Sequence, residues 1–296
     1  MFDLMIRISQ VALPVFIFLT MLNIGMTQDP RRIIQYWNDW PFYLKMLAAN
    51  FVASPALMYV LLQLWELPAD LHTGLAVLSL CAGAPFLIKL TAISEQDLAL
   101  AAATMMLLVL GTIVIVPLLL PLLIPRLSVD AWTMAWTLIK QLLLPMVAGA
   151  ALASFLPAQN KRLQPWVAKV GNIALYLVLI STIIGYLPDM GVIIRSGALL
   201  IGLVFVLAAV GLGYVAGFGK DHLEDVGALA TAQRNTAAAM LIATSSFDDP
   251  TVFVLIALVN TIGIAMLIGV AAAEFGDGPH RHAPAGDARM AAYAQC

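Results

Sequence analysis

Arg234 sits with Gln233, Asn235 and Thr236 inside a stretch, Gly227 to Ala243, that otherwise has the character of a membrane helix. A guanidinium at the centre of such a helix costs at least ~2.5–3.5 kcal/mol on insertion scales, so it must face protein or a water-filled cavity. A fixed positive charge among amides and hydroxyls can hold an anion. A second interruption lies at Cys81-Ala-Gly-Ala-Pro85, where an opened backbone at Gly83 and Ala84 would offer further dipoles. Asn50, in Ala48-Ala-Asn-Phe-Val-Ala-Ser-Pro55, and Asn260 add amides within apolar runs. Lys89 is the one titratable group near the first interruption that suits proton coupling, since no Asp or Glu falls inside an apolar run.

Each feature also has a plainer reading. Ala-Gly-Ala-Pro can be a proline kink with small residues for close helix packing. The Gln-Arg-Asn-Thr cluster can be a hydrogen-bonded knot between helices. Lys89 can snorkel to a nearby interface. Lys140, beside Gln141 and ahead of Pro145, reads as structural, and His280 and His282 read as solvated.

Enzymatic chemistry has little to work with. There is no His-Glu-x-x-His, no Gly-x-Ser-x-Gly and no paired intramembrane carboxylates. Cys81 and Cys296 provide neither a disulfide framework nor a metal spacing, so no metal site and no cofactor are expected. A net charge of −2 gives no basis for nucleic-acid binding. An intramembrane enzyme or a receptor remains the alternative from another class.

The elements that must position these residues are membrane helices. The chain is 62% hydrophobic and only 11% charged, with mean hydropathy +0.94. Soluble domains carry about 25% charged residues, so the chain reads as an all-α polytopic membrane protein. A span needs about 20 apolar residues. Nine are expected, at 4–26, 42–65, 70–94, 98–124, 132–156, 169–188, 193–217, 223–246 and 251–273, separated by short polar breaks that include 157–169. Residues 1–275 make a single transmembrane domain, and 276–296 read as a disordered tail. Arg31, Arg32, Lys45, Lys161, Arg162, Lys169, Lys220, Arg281 and Arg289 fall on one side, against Arg7, Arg126 and Arg195 on the other. The richer side should be cytoplasmic, which places the chain in the cell's inner (cytoplasmic) membrane with the N-terminus outside and the C-terminus in the cytoplasm.

Interruptions at corresponding places in the third and eighth spans are the sequence signature of a transporter's binding site. Opened helices are tolerated only where their free amides and carbonyls line a cavity or are buried in protein, and half-helix N-termini there attract anions.

Taken in order, several motifs resemble the bile acid:sodium symporter family. Phe18-Leu-Thr-Met-Leu-Asn-Ile-Gly-Met26 followed by Asp29-Pro-Arg-Arg32 is similar to that family's first span and basic exit. Ala49-Asn-Phe-Val-Ala-Ser-Pro55 resembles its Ala-Gln-Phe…Pro stretch. Leu67-Pro-Ala69 leading to Cys81-Ala-Gly-Ala84 resembles the approach to its Cys-Pro-Gly-Gly crossover. Lys140-Gln-Leu-Leu-Leu-Pro145, Ser196-Gly197 and Gly213-Tyr-Val-Ala-Gly-Phe218 also fit, and Ala230-Thr-Ala-Gln-Arg-Asn-Thr236 aligns with its Glu-x-Gly-x-Gln-Asn-Ser crossover.

The resemblance implies an inverted repeat with two crossed discontinuous helices. A core domain would take spans 2–4 and 7–9, and a panel domain spans 1, 5 and 6. It further implies organic-anion substrates moved by alternating access. The chain departs from the family where sodium is held. The crossover Glu position is Ala230, the Gln position is Arg234, the Ser-Asn positions are Leu87 and Ile88, and the second-span Gln is Asn50. A guanidinium ~4 Å from a sodium ion would repel it by about 4 kcal/mol at an effective dielectric near 20. The expected protein is therefore a secondary transporter of a small organic anion, sodium-independent because several of the family's sodium ligands are replaced. Its substrate site would comprise Arg234, Asn235, Thr236, Asn50, Asn260, Gly83 and Ala84, with Lys89 as coupling candidate. A sodium- or proton-coupled symporter of the same family is the alternative.

Overall fold

In a bilayer the backbone has no water to pair with, so apolar runs close their hydrogen bonds internally as helices. A computed structural model describes residues 2–28, 39–123, 130–187, 190–219, 223–247 and 250–274. The 276–296 tail, with His280, His282, Arg281 and Arg289, lies outside the described residues, as do Arg31, Arg32, Arg126 and Lys220.

The helices are α1 (Phe2–Thr27), α2 (Trp40–Gln63), α3 (Ala69–Leu80), α4 (Leu87–Ile93), α5 (Leu98–Leu123) and α6 (Ala131–Phe155). They continue with α7 (Pro157–Gly185), α8 (Met190–Arg195), α9 (Ala198–Gly217), α10 (Leu223–Ala232), α11 (Thr236–Ser246) and α12 (Pro250–Glu274). Among the described residues seven helices are long and apolar enough to cross a membrane: α1, α2, α5, α6, α7, α9 and α12. Large apolar side chains such as Val11, Tyr59, Leu122 and Val215 stand exposed on the outside, as lipid contact requires, while Leu13, Ile17, Leu75 and Phe205 are fully buried.

Two of the sequence boundaries are corrected. Residues 157–169, expected as a polar break before a span at 169–188, form the first turns of α7, which runs unbroken for 29 residues. Pro157 starts the helix where its missing N–H costs nothing, and Gln, Lys and Arg are good helix formers in water. At 1.5 Å per residue the helix is about 44 Å long, against ~30 Å of hydrocarbon, so its basic turns project beyond the membrane core. The span expected at 193–217 is divided. Gly197 takes φ +81°, ending α8 and starting α9, and a side chain there would meet the Trp65 indole at 3.0 Å.

Packing sorts the helices into two groups. α1 lies against α6 and α7 along much of its length. A Cβ added at Gly25 would fall 1.9 Å from Met146 O, and one at Gly149 would fall 2.1 Å from Leu22 O, so the α1 and α6 backbones touch. Asn160 Nδ2 donates to Met26 O at 3.0 Å and Gln164 Nε2 to Asn23 Oδ1 at 3.0 Å, tying α7 to α1. In the other group α9 packs closely on α10 through Gly213 and Gly227, and α12 lies against α3, α9 and α11. α2 and α9 are fastened at both ends: Trp65 Nε1 donates to Ser196 O at 3.1 Å and Lys45 Nζ to Phe218 O at 3.4 Å. The twenty residues between Lys45 and Trp65 cover about 30 Å of helix, one hydrocarbon thickness.

The stretches expected at 70–94 and 223–246 are each broken, α3/α4 by residues 81–86 and α10/α11 by residues 233–235. α3, with 12 residues, is only about 18 Å long and cannot cross alone. α3 packs on α11 while α4 packs on α10, so the two broken helices cross antiparallel.

Candidate functional site

The crossing is held by residues that repair what the breaks open. In the first break Gly83 has φ +79°, and a Cβ there would lie 2.4 Å from Val109 N on α5, so only glycine fits. The neighbouring Ala82 is satisfied on both sides by Thr112: its N–H donates to Thr112 Oγ1 and the Thr112 hydroxyl donates to Ala82 O, each at 2.9 Å. Ala84 is buried, and its carbonyl accepts from Leu87 N at 3.1 Å to start α4.

Asn235 stitches one break to the other. Its backbone N–H donates to Cys81 O at 3.0 Å and its Nδ2 to Gly83 O at 3.0 Å. Its Oδ1 accepts from Ala238 N at 3.0 Å, capping the N-terminus of α11.

Arg234 is 3% exposed and its guanidinium is surrounded by oxygens. Nε donates to Leu78 O at 3.3 Å, one terminal nitrogen to Ser79 O at 2.5 Å, and the other to Asn50 Oδ1 at 2.8 Å and Thr231 O at 3.1 Å. Leu78 and Ser79 belong to the last turn of α3, and Thr231 to the last turn of α10. These are carbonyls that a helix end leaves without partners. Each C-terminus carries roughly half a negative charge from the macrodipole, so two together match one guanidinium. The Phe205 ring covers it at 5.9 Å. Among the described residues none of its hydrogen-bond partners is a carboxylate.

Asn50 is positioned by a π-helical turn, Ala49–Ala53, in α2. Pro55 follows, and because it has no N–H the regular ladder cannot continue through it. Besides accepting from Arg234, Asn50 donates through Nδ2 to Met46 O at 3.0 Å and Thr231 Oγ1 at 3.1 Å. A second π turn, Ile139–Leu143, precedes Pro145 in α6. There Lys140 is exposed with its ammonium 5.2 Å from the Trp136 ring, away from the crossing in sequence and in its contacts.

Thr236 Oγ1 donates to Asn260 Oδ1 at 2.6 Å, linking α11 to α12. Thus Arg234, Asn50, Asn235 and Gly83 form one network with the broken ends, and Thr236 with Asn260 forms an adjoining pair. Lys89 stands apart on α4, half-buried, and its ammonium has no hydrogen bond among the described residues. The sequence missed Thr112, Thr231 and the α3 carbonyls. Thr231 lies one turn from Arg234 and was within reach of a spacing argument. Thr112 looks like any threonine in an apolar helix, and backbone carbonyls carry no residue signature.

Two broken, antiparallel helices crossing inside a helical membrane protein, with a buried cation at their ends, define a polytopic protein built around an intramembrane polar centre. The sodium bile acid symporter family matches residues 14–188, more than half of the chain and all of it from α1 into the residues after α7. The chain belongs to that family, as the order of its motifs suggested. It is also 29% identical over 243 residues to the probable sodium/metabolite cotransporter BASS2, chloroplastic, of Oryza sativa subsp. japonica. That alignment covers 79% of this chain and 57% of the rice protein, so the chain spans somewhat over half of that relative's length.

Proposed function

We propose that this protein is a secondary-active transporter that moves a small organic anion by alternating access, without sodium, and uses Arg234 as a built-in cation. The observation that carries this reading is the oxygen cage around the guanidinium. Leu78 O, Ser79 O, Thr231 O and Asn50 Oδ1 are neutral oxygens of the kind a bound sodium ion requires, and Arg234 already occupies them. In transporters built on broken helices, C-terminal half-helix ends coordinate cations while N-terminal ends face anionic substrate groups. Here the C-terminal ends of α3 and α10 are neutralised by Arg234, which leaves the positive ends of α4 and α11 for the anion. The guanidinium's role is then to hold the crossing in the arrangement that sodium would otherwise stabilise. It does not pair directly with a substrate carboxylate in this conformation.

On this reading the chain crosses the membrane nine times, with α3/α4 and α10/α11 each making one crossing. α1, α6 and α7 act as the panel, and α2 to α5 with α9 to α12 as the core. The basic turns of α7, with Lys161, Arg162 and Lys169, face the cytoplasm, so the N-terminus is outside and the C-terminus inside, in a cytoplasmic-type inner membrane. The glycine contacts of α1 with α6 support movement of the panel as one body against the core. The rice relative's name, a sodium/metabolite cotransporter, supports the sodium-coupled rival, and Lys89 is the residue through which a proton-coupled form would work.

The test is uptake of radiolabelled organic anions into proteoliposomes with sodium replaced by potassium or choline. Uptake unchanged by the replacement is the expected result. Uptake that disappears with sodium overturns the built-in cation, and uptake that needs a proton gradient and fails in Lys89→Met selects the proton-coupled form. No carrier-mediated flux of any anion would return the protein to the receptor or enzyme classes.

A further inference from the structure

A small cavity of about 10 Å³ adjoins the guanidinium, between α3, α9, α12 and the link from α10 to α11. Its polar walls are Gln233, Arg234, Thr236 and Asn260, and Leu78 and Val259 are among its apolar ones. Gln233 is 4% exposed, yet its side-chain amide has no hydrogen-bond partner among the described residues. Because Thr236 occupies Asn260 Oδ1, the Asn260 amide nitrogen is left to donate elsewhere, and it has no acceptor among the described residues. Amides inside a protein are almost always paired, so the buried Gln233 and the half-buried Asn260, each with free donors on one cavity, require an explanation.

The charge around the cavity has one sign. Among the described residues Arg234 is the only ionisable one in its lining, and Thr236 is the first residue of α11, whose N-terminus carries the positive end of the helix dipole. The guanidinium's own N–H groups are directed at the α3 and α10 carbonyls and Asn50, so it contributes charge here more than hydrogen bonds. A ligand in the cavity would have to supply acceptors and negative charge together.

We infer that Gln233 and Asn260 form a two-donor subsite for the carboxylate of the transported anion, and that Gln233 determines the selectivity for it. The inference rests on the reading of the protein as an anion transporter. Two amide nitrogens suit the two oxygens of a carboxylate, and the aliphatic walls suit the carbon chain behind it. The present cavity has room for about one water-sized group, so this is a contracted form of the subsite.

The experiment measures binding of radiolabelled acetate and butyrate to the purified full-length protein in sodium-free potassium buffer, together with thermal unfolding. Wild type should bind saturably, and potassium chloride at the same concentration should not compete. Gln233→Leu and Asn260→Leu should each weaken binding at least tenfold. Gln233→Leu should also unfold at the same temperature as ligand-free wild type or higher, because it removes a cavity-facing amide that has no partner among the described residues. If Gln233→Leu is poorly folded, the near-isosteric Gln233→Glu, which keeps the shape but removes the donors and adds a repelling charge, should show the same loss. Absent saturable binding in wild type, equal competition by chloride (an adventitious ion only), or affinity within twofold of wild type in the folded Gln233 variants would each overturn the subsite. A lower unfolding temperature in folded Gln233→Leu would overturn it too, by making the amide structural. Sodium-dependent uptake with carboxylate binding intact would overturn the built-in cation and leave the subsite standing.

Discussion

Replacing Arg234 with glutamine should turn a protein indifferent to sodium into one that sodium stabilises. The substitution withdraws four hydrogen bonds from Asn50 Oδ1 and the carbonyls of Leu78, Ser79 and Thr231. Each acceptor left buried without a partner costs ~1–3 kcal/mol. Against this, the guanidinium's own insertion penalty of about 2.5–3.5 kcal/mol is relieved. The balance leaves a net loss on the order of a few kcal/mol, since the substitution strands neutral acceptors and leaves no uncompensated charge. The vacated oxygens then form a neutral cage with two helix C-termini converging on it, the environment that favours a small cation. Sodium at a hundred times its dissociation constant would restore ~2.7 kcal/mol. For a chain of this size that corresponds to a rise of roughly 4 °C in the unfolding midpoint. Thermal unfolding of purified Arg234→Gln, titrated with sodium chloride against choline chloride, measures it directly. A midpoint that responds equally to both salts would refute the cage argument. So would a wild type that gains as much from sodium as the variant does.

Three further outcomes follow from the same geometry. Asn50→Leu should lower stability by ~1–3 kcal/mol, because Thr231 Oγ1 and one Arg234 N–H lose their shared partner; a double-mutant cycle with Arg234→Gln should show strong non-additivity. Gly83→Ala should impair folding by more than that, since it adds a Cβ 2.4 Å from Val109 N at φ +79°, and fluorescence-detected size exclusion should report loss of monodisperse protein. Asp130 caps α6, and hydrogen bonds from the Thr133 hydroxyl, then from the Thr133 and Trp132 amides, hold its carboxyl below the ordinary carboxylate range. Its lowered folded value means the cap contributes fully above the ordinary pKa of about 3.9 and is lost as pH falls through the lowered one. Asp130→Asn, which caps without titrating, should therefore flatten that part of the acid unfolding profile.

The breaks in the third and eighth stretches were legible because proline, glycine and a run of polar residues leave few ways to continue an apolar helix. The depth of Arg234 was legible for the same reason, as was the family, through motifs spread along the chain. The division at Gly197 was harder to see. A Ser-Gly pair within an otherwise apolar run is common in membrane helices, and its left-handed conformation is fixed by the Trp65 ring packed against it. Residues 157–169 were misread because hydropathy reports where a helix meets lipid and says nothing of where it ends in water.

The sequence alone determined that a buried cation sits at the centre of an interrupted helix, since composition and spacing set depth. Only the tertiary structure decided where that cation points. Its acceptors on α3 and α10 are main-chain carbonyls, which every residue carries alike, and they become a site only when two helices end at the same place. The free amide nitrogens of Gln233 and Asn260 were hidden for the complementary reason: whether a polar group is paired depends on what another helix brings to it.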